Sequence, residues 1–271
     1  MKDKKNYIHR LEQSNPLREP VIQSAIKSLK LSKGSSGLDI GCGIGLQTLL
    51  LARAVGAEGH VTGLDISPEF LAYAEEKVKN SSLSKRISFQ QGDVTKLLFK
   101  RNTFDWVWSS DCLGYPVGDL FPVLQTLRKI VKPGGKVVII GWSSQQLLPG
   151  YPLIEAWLNA TCSGLIPIVE GKEPGQHFLR APDAYRRAGF VNISAKTLIG
   201  DVHAPLSETI RTAMISLFDM LWGIQQTELS QEYWWEYQRL CYPESPDFIL
   251  DLPDYYAFFT YTMFLGEGPK K

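Results

Sequence analysis

The stretch GLDIGCGIG, Gly37–Gly45, joins a short buried-strand pattern to a glycine loop, and a helical pattern begins directly after it. Glycine at alternate positions lets the backbone turn sharply and approach a ligand closely, because a Cβ would clash there. The dinucleotide fingerprint G-x-G-x-x-G needs a third glycine for tight helix packing, and Leu46 holds that position when counting starts at Gly41. The loop therefore predicts a cofactor-binding turn that differs from the dinucleotide type.

Two more strand patterns end in acids further along the chain. Val61–Asp65 is typical of a second short strand, and Ser67-Pro68-Glu69 after it is typical of a helix start. A third strand pattern, beginning at Ile87, ends in Gly92-Asp93. An acid at a strand end can accept hydrogen bonds from both hydroxyls of a ribose, so the three patterns together predict a nucleoside site.

The order of these motifs resembles the class I S-adenosyl-L-methionine (SAM) dependent methyltransferases. Motif I of that family matches D-x-G-x-G-x-G from Asp39 to Gly45, and the acids Asp65 and Asp93 follow at the expected strand ends. The run Arg128–Gly135, which ends in Lys-Pro-Gly-Gly, resembles the turn before strand five in ubiquinone and menaquinone C-methyltransferases. The resemblance covers about Pro20 to Ile199 and the last strand, and implies SAM as cofactor and S-adenosyl-L-homocysteine as product.

The resemblance also implies which residues hold the cofactor. The glycine loop should bind the methionine portion through backbone amides, with Asp39 orienting the loop or reaching the amino group through water. Asp65 should bind the ribose and Asp93 the adenine. The predicted cofactor-binding residues are Asp39, Gly41, Cys42, Gly43, Gly45, Asp65, Ile66, Gly92, Asp93, Val94 and Ser109.

Catalytic candidates follow the fourth predicted strand, because ligands in α/β sheets bind outside the carboxyl ends of the strands. Asp111 is the first candidate for a base or an acceptor-orienting group, and its alternative role is a helix cap or loop hydrogen bond. Tyr115 and His177 are the other catalytic candidates. A histidine can transfer protons near neutral pH, although most histidines are ordinary surface or packed residues. No metal site is predicted.

Strand and helix patterns alternate, which predicts an α/β fold. We expect a Rossmann-like, seven-stranded, mostly parallel sheet with helices on both faces, an antiparallel last strand and inserted helical lid segments. The later strands are predicted at Phe104–Ser109, Lys136–Trp142, Phe190–Ile199 and Phe258–Leu265. The core helices are predicted at Pro20–Leu31, Leu46–Val55, Pro68–Asn80, Leu120–Val131 and Pro182–Ala188.

The predicted organisation is one catalytic domain with two insertions. Residues 1–142 form the SAM-binding core with an N-terminal lid segment, 143–180 an insertion, and 181–200 a core helix and strand. Residues 201–256 form a helical substrate cap, and 257–271 the last strand and tail. Helices are predicted in the insertions at Pro152–Cys162, Leu206–Gln225 and Ser230–Cys241. The aromatic residues Trp222, Trp234, Trp235 and Tyr237 either pack these helices or line a pocket for an apolar acceptor.

The composition limits which kinds of partner the protein is expected to bind. Because 29 Lys and Arg oppose 28 Asp and Glu, the net charge of +1 gives no general attraction to nucleic acid. The chain shows no signal-peptide core and no apolar run near the roughly 20 residues of a membrane helix, so we expect a cytoplasmic protein without integral membrane contact. The cysteines Cys42, Cys112, Cys162 and Cys241 form no C-x-x-C pair and predict structural thiols. A meeting of Cys112 and Cys241 near the cofactor would instead suit a metalloid such as arsenic.

The function predicted from these features is transfer of a methyl group to carbon or oxygen of a small molecule. Quinones, phenols, polyketide-like and lipid-like compounds are the acceptor classes considered. A SAM-binding regulatory protein without transferase activity and a thiol or arsenite methyltransferase are the alternatives. A nicotinamide-dependent oxidoreductase is disfavoured by Leu46 and by the Gly92-Asp93 motif.

Overall fold

A computed structural model describes residues 2–79, 81–114, 119–161, 177–223 and 230–270. The strands are β1 Ser36–Ile40, β2 His60–Asp65, β3 Ile87–Gln91, β4 Phe104–Ser110, β5 Val131–Gln146, β6 Val191–His203 and β7 Tyr256–Glu267. The helices are α1 Lys2–Leu29, α2 Leu46–Val55, α3 Pro68–Lys79, α4 Leu120–Ile130, α5 Pro152–Thr161, α6 Ala181–Arg187, α7 Glu208–Trp222 and α8 Gln231–Cys241.

The strands form one seven-stranded sheet in the order β3-β2-β1-β4-β5-β7-β6. The pairs β1·β2, β1·β4, β2·β3 and β4·β5 are parallel, and the last strands are antiparallel, which confirms the predicted Rossmann-like sheet. In register, Ile40 faces Leu64 on one side and Ser109 on the other, while Asp65 faces Gln91. The carboxyl ends of β1 to β4 therefore lie side by side, where parallel α/β sheets bind ligands.

By contacts the chain divides into two compact units. We call Ile22–Gly141, Gly171–Thr197 and Thr262–Lys271 the core unit. We call Met1–Val21, Trp142–Glu170 and Leu198–Tyr261 the helical unit.

The core unit is built on the parallel strands. Leu38, Val107 and Ile139 are fully or almost fully buried on three neighbouring strands, as parallel sheets covered on both faces require. The hydroxyl of Tyr185, on α6, donates a hydrogen bond to the carbonyl oxygen of Val137 at 3.1 Å. This bond satisfies the one polar atom of a large buried side chain and fixes α6 on the sheet.

The helical unit has its own buried polar centre around Glu155 of α5. The Glu155 carboxylate accepts hydrogen bonds from the backbone N–H of Leu147, at 2.8 and 2.9 Å, and of Leu148 at 2.9 Å. The Tyr255 hydroxyl donates to the Leu147 carbonyl oxygen at 3.0 Å. Burial raises the pKa of the Glu155 carboxyl, and the two N–H donors oppose that rise. Glu155 thus fixes the turn that follows β5.

The aromatic residues of the helical unit do different things. Trp222 and Tyr237 are buried, and the Trp222 ring stacks on Phe218 with centroids 5.6 Å apart. Trp235 is 64% exposed, so it contributes little to the packing of this unit. The predicted packing role therefore holds for Trp222 and Tyr237.

Two predicted elements begin well before the expected residue, and strand β6 continues past the predicted Ile199 to His203, within the segment 201–256 that was predicted as a helical cap. Helix α1 begins at Lys2 and runs through Pro16 and Pro20, whereas the expected helix began at Pro20 because proline usually ends or starts a helix. Strand β5 starts at Val131, opposite Phe104, and includes the Lys-Pro-Gly-Gly run that was expected to be a turn. A register irregularity between Phe104 and Trp106 accommodates this run in the sheet. Among the described residues, no helix combines the length and apolarity needed to cross a membrane.

Candidate cofactor site and active site

The glycine loop is tied to the neighbouring strand by its backbone. The N–H groups of Gly41 and Cys42 both donate to the carbonyl oxygen of Leu64, at 2.8 and 3.0 Å. Gly41, Gly43 and Gly45 have φ angles of 68°, 52° and 77°, a backbone region in which glycine avoids the usual steric cost. The loop therefore requires glycine for its conformation at all three positions.

The three glycines differ in what surrounds them. A Cβ added at Gly41 would lie 2.5 Å from the Cys112 Sγ, and one at Gly45 would lie 3.0 Å from the Ala74 Cβ. A Cβ added at Gly43 would meet nothing within 4 Å. Gly41 and Gly45 are thus enclosed by protein, whereas the backbone at Gly43 is open to a ligand.

Helix α2 starts at this loop without a side-chain cap. Its N-cap residue, Gly45, provides no side-chain hydrogen bond, and its first turn contains no acidic residue. The N–H groups of a first helical turn have no partner within the helix, and the helix dipole makes this end partly positive. The start of α2 therefore favours an anionic group such as a ligand carboxylate.

Asp39 lies under the loop and is 2% exposed. Its Oδ2 accepts a hydrogen bond from the Thr48 Oγ1 at 2.6 Å. Burial raises the pKa of the Asp39 carboxyl to about 7; the Thr48 hydrogen bond opposes the rise and the nearby Asp65 charge adds to it. A positive charge on a bound ligand would favour the ionised form of this carboxyl.

Asp65 connects the loop to the second strand end. Its Oδ2 accepts from the Gly43 N–H at 2.8 Å, and its Oδ1 accepts from the Ser67 N–H at 2.9 Å. A carboxylate oxygen can accept more than one hydrogen bond, so both oxygens can also receive hydroxyl donors from a ribose. The next residue, Ile66, is an apolar side chain that is 66% exposed.

The third strand end is joined to the second. The Gly92 N–H donates to the carbonyl oxygen of Asp65 at 3.0 Å. The Asp93 Oδ1 accepts from the N–H and the hydroxyl of Thr95, at 2.8 and 2.7 Å, and these donors lower the pKa of the Asp93 carboxyl. Val94 beside it is buried. Thr95, which the sequence reading missed, keeps the exposed Asp93 carboxyl ionised and oriented.

Three buried or partly buried side chains lie in or near the glycine loop, namely Ser109, Cys112 and Cys42. Ser109 is fully buried at the end of β4. Burial, followed by the Asp65 charge, raises the pKa of the Cys112 thiol to about 12. Burial and the charges of Asp39 and Asp65 also raise the pKa of the Cys42 thiol. Both thiols are therefore protonated at neutral pH, and neither is a reactive thiolate.

The arsenic-binding alternative receives no support from the other cysteines. Cys241 is buried in the helical unit, whereas Cys112 belongs to the core unit, and Cys162 lies outside the described residues. Within the described part of the chain, no group of three or more His, Cys, Asp and Glu side chains is arranged to hold a metal ion.

Asp111 follows β4 with a left-handed backbone, φ 49°. Its N–H donates to the carbonyl oxygen of Ile140 at 3.0 Å, which holds the residue beside β5. The Ser110 hydroxyl donates to the Asp111 Oδ2 at 3.4 Å. Left-handed non-glycine residues are uncommon and are concentrated at functional sites, although aspartate tolerates this conformation better than most residues.

Phe178 begins the short 3-10 helix Phe178–Arg180, and His177 is the residue before it. The His177 Nδ1 accepts a hydrogen bond from the Leu179 N–H at 3.2 Å, so the ring caps this helix and leaves Nε2 for other contacts. A Cβ added at Gly141 would lie 3.3 Å from the Phe178 ring and 3.7 Å from the Asp111 Oδ1. Phe178, which the sequence reading missed, therefore lies near Asp111. Tyr115 lies outside the described residues.

Gln47 is a third residue that the sequence analysis missed. Located in the first turn of α2, it accepts a hydrogen bond from the Trp108 Nε1 at 2.8 Å and donates one to the Ser110 Oγ at 3.0 Å. A glutamine in an amphipathic helix carries no recognisable sequence signal. The structure places it between the cofactor loop and the end of β4.

Comparison with known proteins agrees with this geometry. A family model described as a methyltransferase domain matches residues 38–135. A demethylmenaquinone methyltransferase of Staphylococcus carnosus is 33% identical over 219 residues, which are 74% of this chain and 85% of the relative. A second relative of the same name, from Anoxybacillus flavithermus, is 33% identical over 190 residues, 64% of this chain and 77% of the relative.

Solved structures show the same fold. The phosphoethanolamine N-methyltransferase 2 of Haemonchus contortus, in complex with phosphomonomethylethanolamine and S-adenosylhomocysteine, matches with a TM-score of 0.54 at 19% identity, over 92% of this chain and 52% of that chain. At this level of identity the similarity supports the fold and gives no information on the substrate.

The chain belongs to the class I SAM-dependent methyltransferases. Within that class, it is similar to proteins named demethylmenaquinone methyltransferase. It is an enzyme that uses SAM and methylates a small-molecule acceptor.

Proposed function

We propose that this enzyme methylates a ring carbon of a quinol acceptor of the demethylmenaquinol type. The observation that carries the proposal is the 33% identity to a demethylmenaquinone methyltransferase over 85% of that relative. A hydroxylated aromatic ring is also an acceptor that profits from a nearby carboxylate, and Asp111 supplies one at the end of β4.

The residues of the loop fit SAM, whose sulfonium sulfur supplies an electrophilic methyl group when the cofactor is bound. The open backbone at Gly43 and the uncapped start of α2 suit the amino-acid portion. The buried Asp39, with its pKa raised to about 7, gains from a cation nearby. The Cys42 side chain in the loop and the Ser109 side chain at the end of β4 are both buried, so we assign them a packing role rather than side-chain contact with the cofactor.

We assign the nucleoside portion to the second and third strand ends. Asp65 would accept hydrogen bonds from the ribose hydroxyls while holding the Gly43 N–H. Ile66, with its exposed side chain, offers an apolar face for the adenine ring. Asp93, fixed by Thr95, would accept from the adenine amino group.

Asp111 is the proposed base. Its carboxylate takes the proton from an acceptor hydroxyl, which raises the electron density on the adjacent ring carbon. This carbon would form the new C–C bond to the methyl group as the bond between that methyl group and the sulfonium sulfur breaks, and S-adenosyl-L-homocysteine would leave. The proton that this carbon carried then leaves to solvent, which restores the aromatic ring, and Asp111 returns its proton to the ring oxygen. Phe178 supports an aromatic acceptor at this place, because its ring lies next to Gly141 and Asp111.

The helical unit supports an apolar acceptor by its exposed aromatic surface. Trp157 is 45% exposed and stacks on Tyr233 with centroids 5.1 Å apart. We propose that residues 143–180 and 201–256 recognise the acceptor, as the predicted substrate cap requires. Nucleic acid is not a proposed partner, because the chain is nearly neutral with a net charge of +1.

The test is calorimetry with SAM and S-adenosyl-L-homocysteine, followed by release of S-adenosyl-L-homocysteine with a short-chain demethylmenaquinol, a simple phenol and arsenite as acceptors. Turnover with the quinol alone supports the proposal. Turnover with arsenite alone would replace it by the metalloid alternative, and cofactor binding without any turnover would favour the regulatory alternative.

Asp111→Asn should lose turnover and retain cofactor binding. The matched control is Asp119→Asn in the same inter-element segment, where Asp119 caps α4 by accepting from the Phe121 N–H at 3.0 Å. Asparagine is an equally good N-cap, so this control should keep full activity. Equal turnover in both variants would remove Asp111 from the mechanism.

A further inference from the structure

A chain of hydrogen bonds connects a buried tryptophan to the proposed base. The Trp108 Nε1 donates to the Gln47 Oε1 at 2.8 Å, the Gln47 Nε2 donates to the Ser110 Oγ at 3.0 Å, and the Ser110 Oγ donates to the Asp111 Oδ2 at 3.4 Å. All four residues belong to the core unit. Trp108 is fully buried, so the chain begins at a fixed point.

The direction of these bonds is set by the first residue. An indole N–H can only donate, so it must bind the oxygen of the Gln47 amide and thereby turns the amide nitrogen toward Ser110. Because Ser110 then receives a donor from Gln47, its own hydroxyl hydrogen is available for Asp111. Donation to a carboxylate favours the ionised form, which is the form that a base must have.

We propose that Gln47 and Ser110 are positioning residues that hold the Asp111 carboxylate ionised and oriented for the acceptor. This inference rests on the proposed role of Asp111 and extends it. Gln47 belongs to the first turn of α2, which begins directly after the cofactor loop, so one helix end serves both the cofactor and the base.

Among the described residues, Asp65 and Asp39 carry charges that act on the adjacent Cys112 thiol, so both acids belong to the electrostatic surroundings of Asp111. The adjacent Cys112 thiol is neutral, since its pKa is raised to about 12. On β5 the neighbour is Gly141, and on the 3-10 helix it is the Phe178 ring, neither of which carries a charge. The ionisable ring nearest in sequence to Phe178 is His177, whose Nδ1 is already bonded to the Leu179 N–H.

The decisive experiment compares Ser110→Ala with Ser110→Thr. Alanine removes the hydroxyl that donates to Asp111, so kcat with a short-chain demethylmenaquinol should fall roughly tenfold. This is less than the loss of rate expected when general acid-base assistance is removed entirely. The acid limb of the kcat/KM profile should also move to higher pH. Threonine keeps a hydroxyl and suits a strand position, so it should restore most of the activity and the original pH profile. The Kd for S-adenosyl-L-homocysteine should stay within about twofold in both variants, because neither substitution removes a donor of the glycine loop.

Gln47→Glu tests the direction of the chain. Glutamate still accepts from the Trp108 Nε1, so the buried indole stays satisfied and its N–H resonance in an NMR spectrum should remain near its original position. The new carboxylate cannot donate to Ser110 and would instead take the Ser110 hydroxyl hydrogen from Asp111. Turnover should therefore fall at least as far as in Ser110→Ala, although the side chain has the same size.

The outcomes separate the two proposals. If Asp111→Asn is inactive while Ser110→Ala and Gln47→Glu both behave as wild type, the positioning role is refuted and the base survives. If Asp111→Asn is itself active, the base and the positioning role fall together. Loss of activity in Ser110→Thr as large as in Ser110→Ala would also refute the hydrogen-bond argument, since the hydroxyl would then be irrelevant.

Discussion

Replacement of Asp39 by asparagine should flatten the dependence of stability on pH. Asp39 is buried below the glycine loop, and its pKa is raised from 3.8 to about 7, chiefly by burial. A carboxyl whose pKa is higher in the folded state binds a proton more tightly there. Its contribution to stability is therefore fully present below pH 3.8 and is lost as the pH rises through 7.

The size of the effect follows from the two pKa values. A rise from 3.8 to about 7 corresponds to a total of roughly 4 kcal/mol in the free energy of unfolding, at about 1.4 kcal/mol per pH unit. Between pH 5 and pH 7 the wild-type protein should lose about 2 kcal/mol through this group. The asparagine side chain cannot ionise, so this share of the slope disappears in the variant.

Urea unfolding at pH 5, 6, 7 and 8 measures the difference between wild type and Asp39→Asn. The change of this difference with pH is the diagnostic, because a buried asparagine amide adds a constant cost of about 1–3 kcal/mol. Glu155, whose pKa is also raised by burial, acts equally in both proteins and cancels. Parallel curves for the two proteins would refute the reasoning.

Other predictions concern the loop and the two units. Gly43→Ala should fold, because the new methyl group meets no protein atom, but it should bind SAM at least about tenfold more weakly, because the methyl group enters the open space proposed for the cofactor. Gly41→Ala should lose about 2–4 kcal/mol of stability, because its methyl group would clash with the Cys112 thiol. Urea unfolding measures the stability of both variants, and calorimetry measures their SAM binding. Asp65→Ala should weaken SAM binding by about 100-fold, with Asp65→Asn in between, and unchanged affinity would show that the ribose site lies elsewhere. Glu155→Ala should destabilise the protein by about 2–4 kcal/mol, since two buried N–H groups lose their acceptor; a melting temperature equal to wild type would contradict it.

Most of the helices and strands could be predicted from the sequence, because the signals that mark their ends are local. Helix α2 is bounded by Gly45 and Gly56, and the structure has it at the predicted Leu46–Val55. Proline restricts the backbone and glycine permits conformations that other residues avoid, and both residues mark element ends in a sequence. Helix α1 was misjudged for the same reason, since Pro16 and Pro20 lie inside it and tertiary packing overrides the local signal.

The acids of the site were visible for a similar reason, because each follows a strand pattern at a fixed place. Gln47 and Phe178 were not visible. Their roles depend on partners far along the chain, namely Trp108 for the glutamine, and Gly114 and Gly141 for the phenylalanine. Such pairings arise from the strand order, which one sequence does not encode position by position.

The left-handed backbone of Asp111 restricts how this enzyme can evolve. At φ 49° glycine, asparagine and aspartate are accommodated most easily, so most other amino acids would add backbone strain at this position. A longer acid such as glutamate would have to strain the main chain before it could serve as a base. A lineage that changes its acceptor can therefore exchange the charged carboxylate for the neutral asparagine amide here without added backbone strain, whereas a tyrosine base at this position would carry that strain.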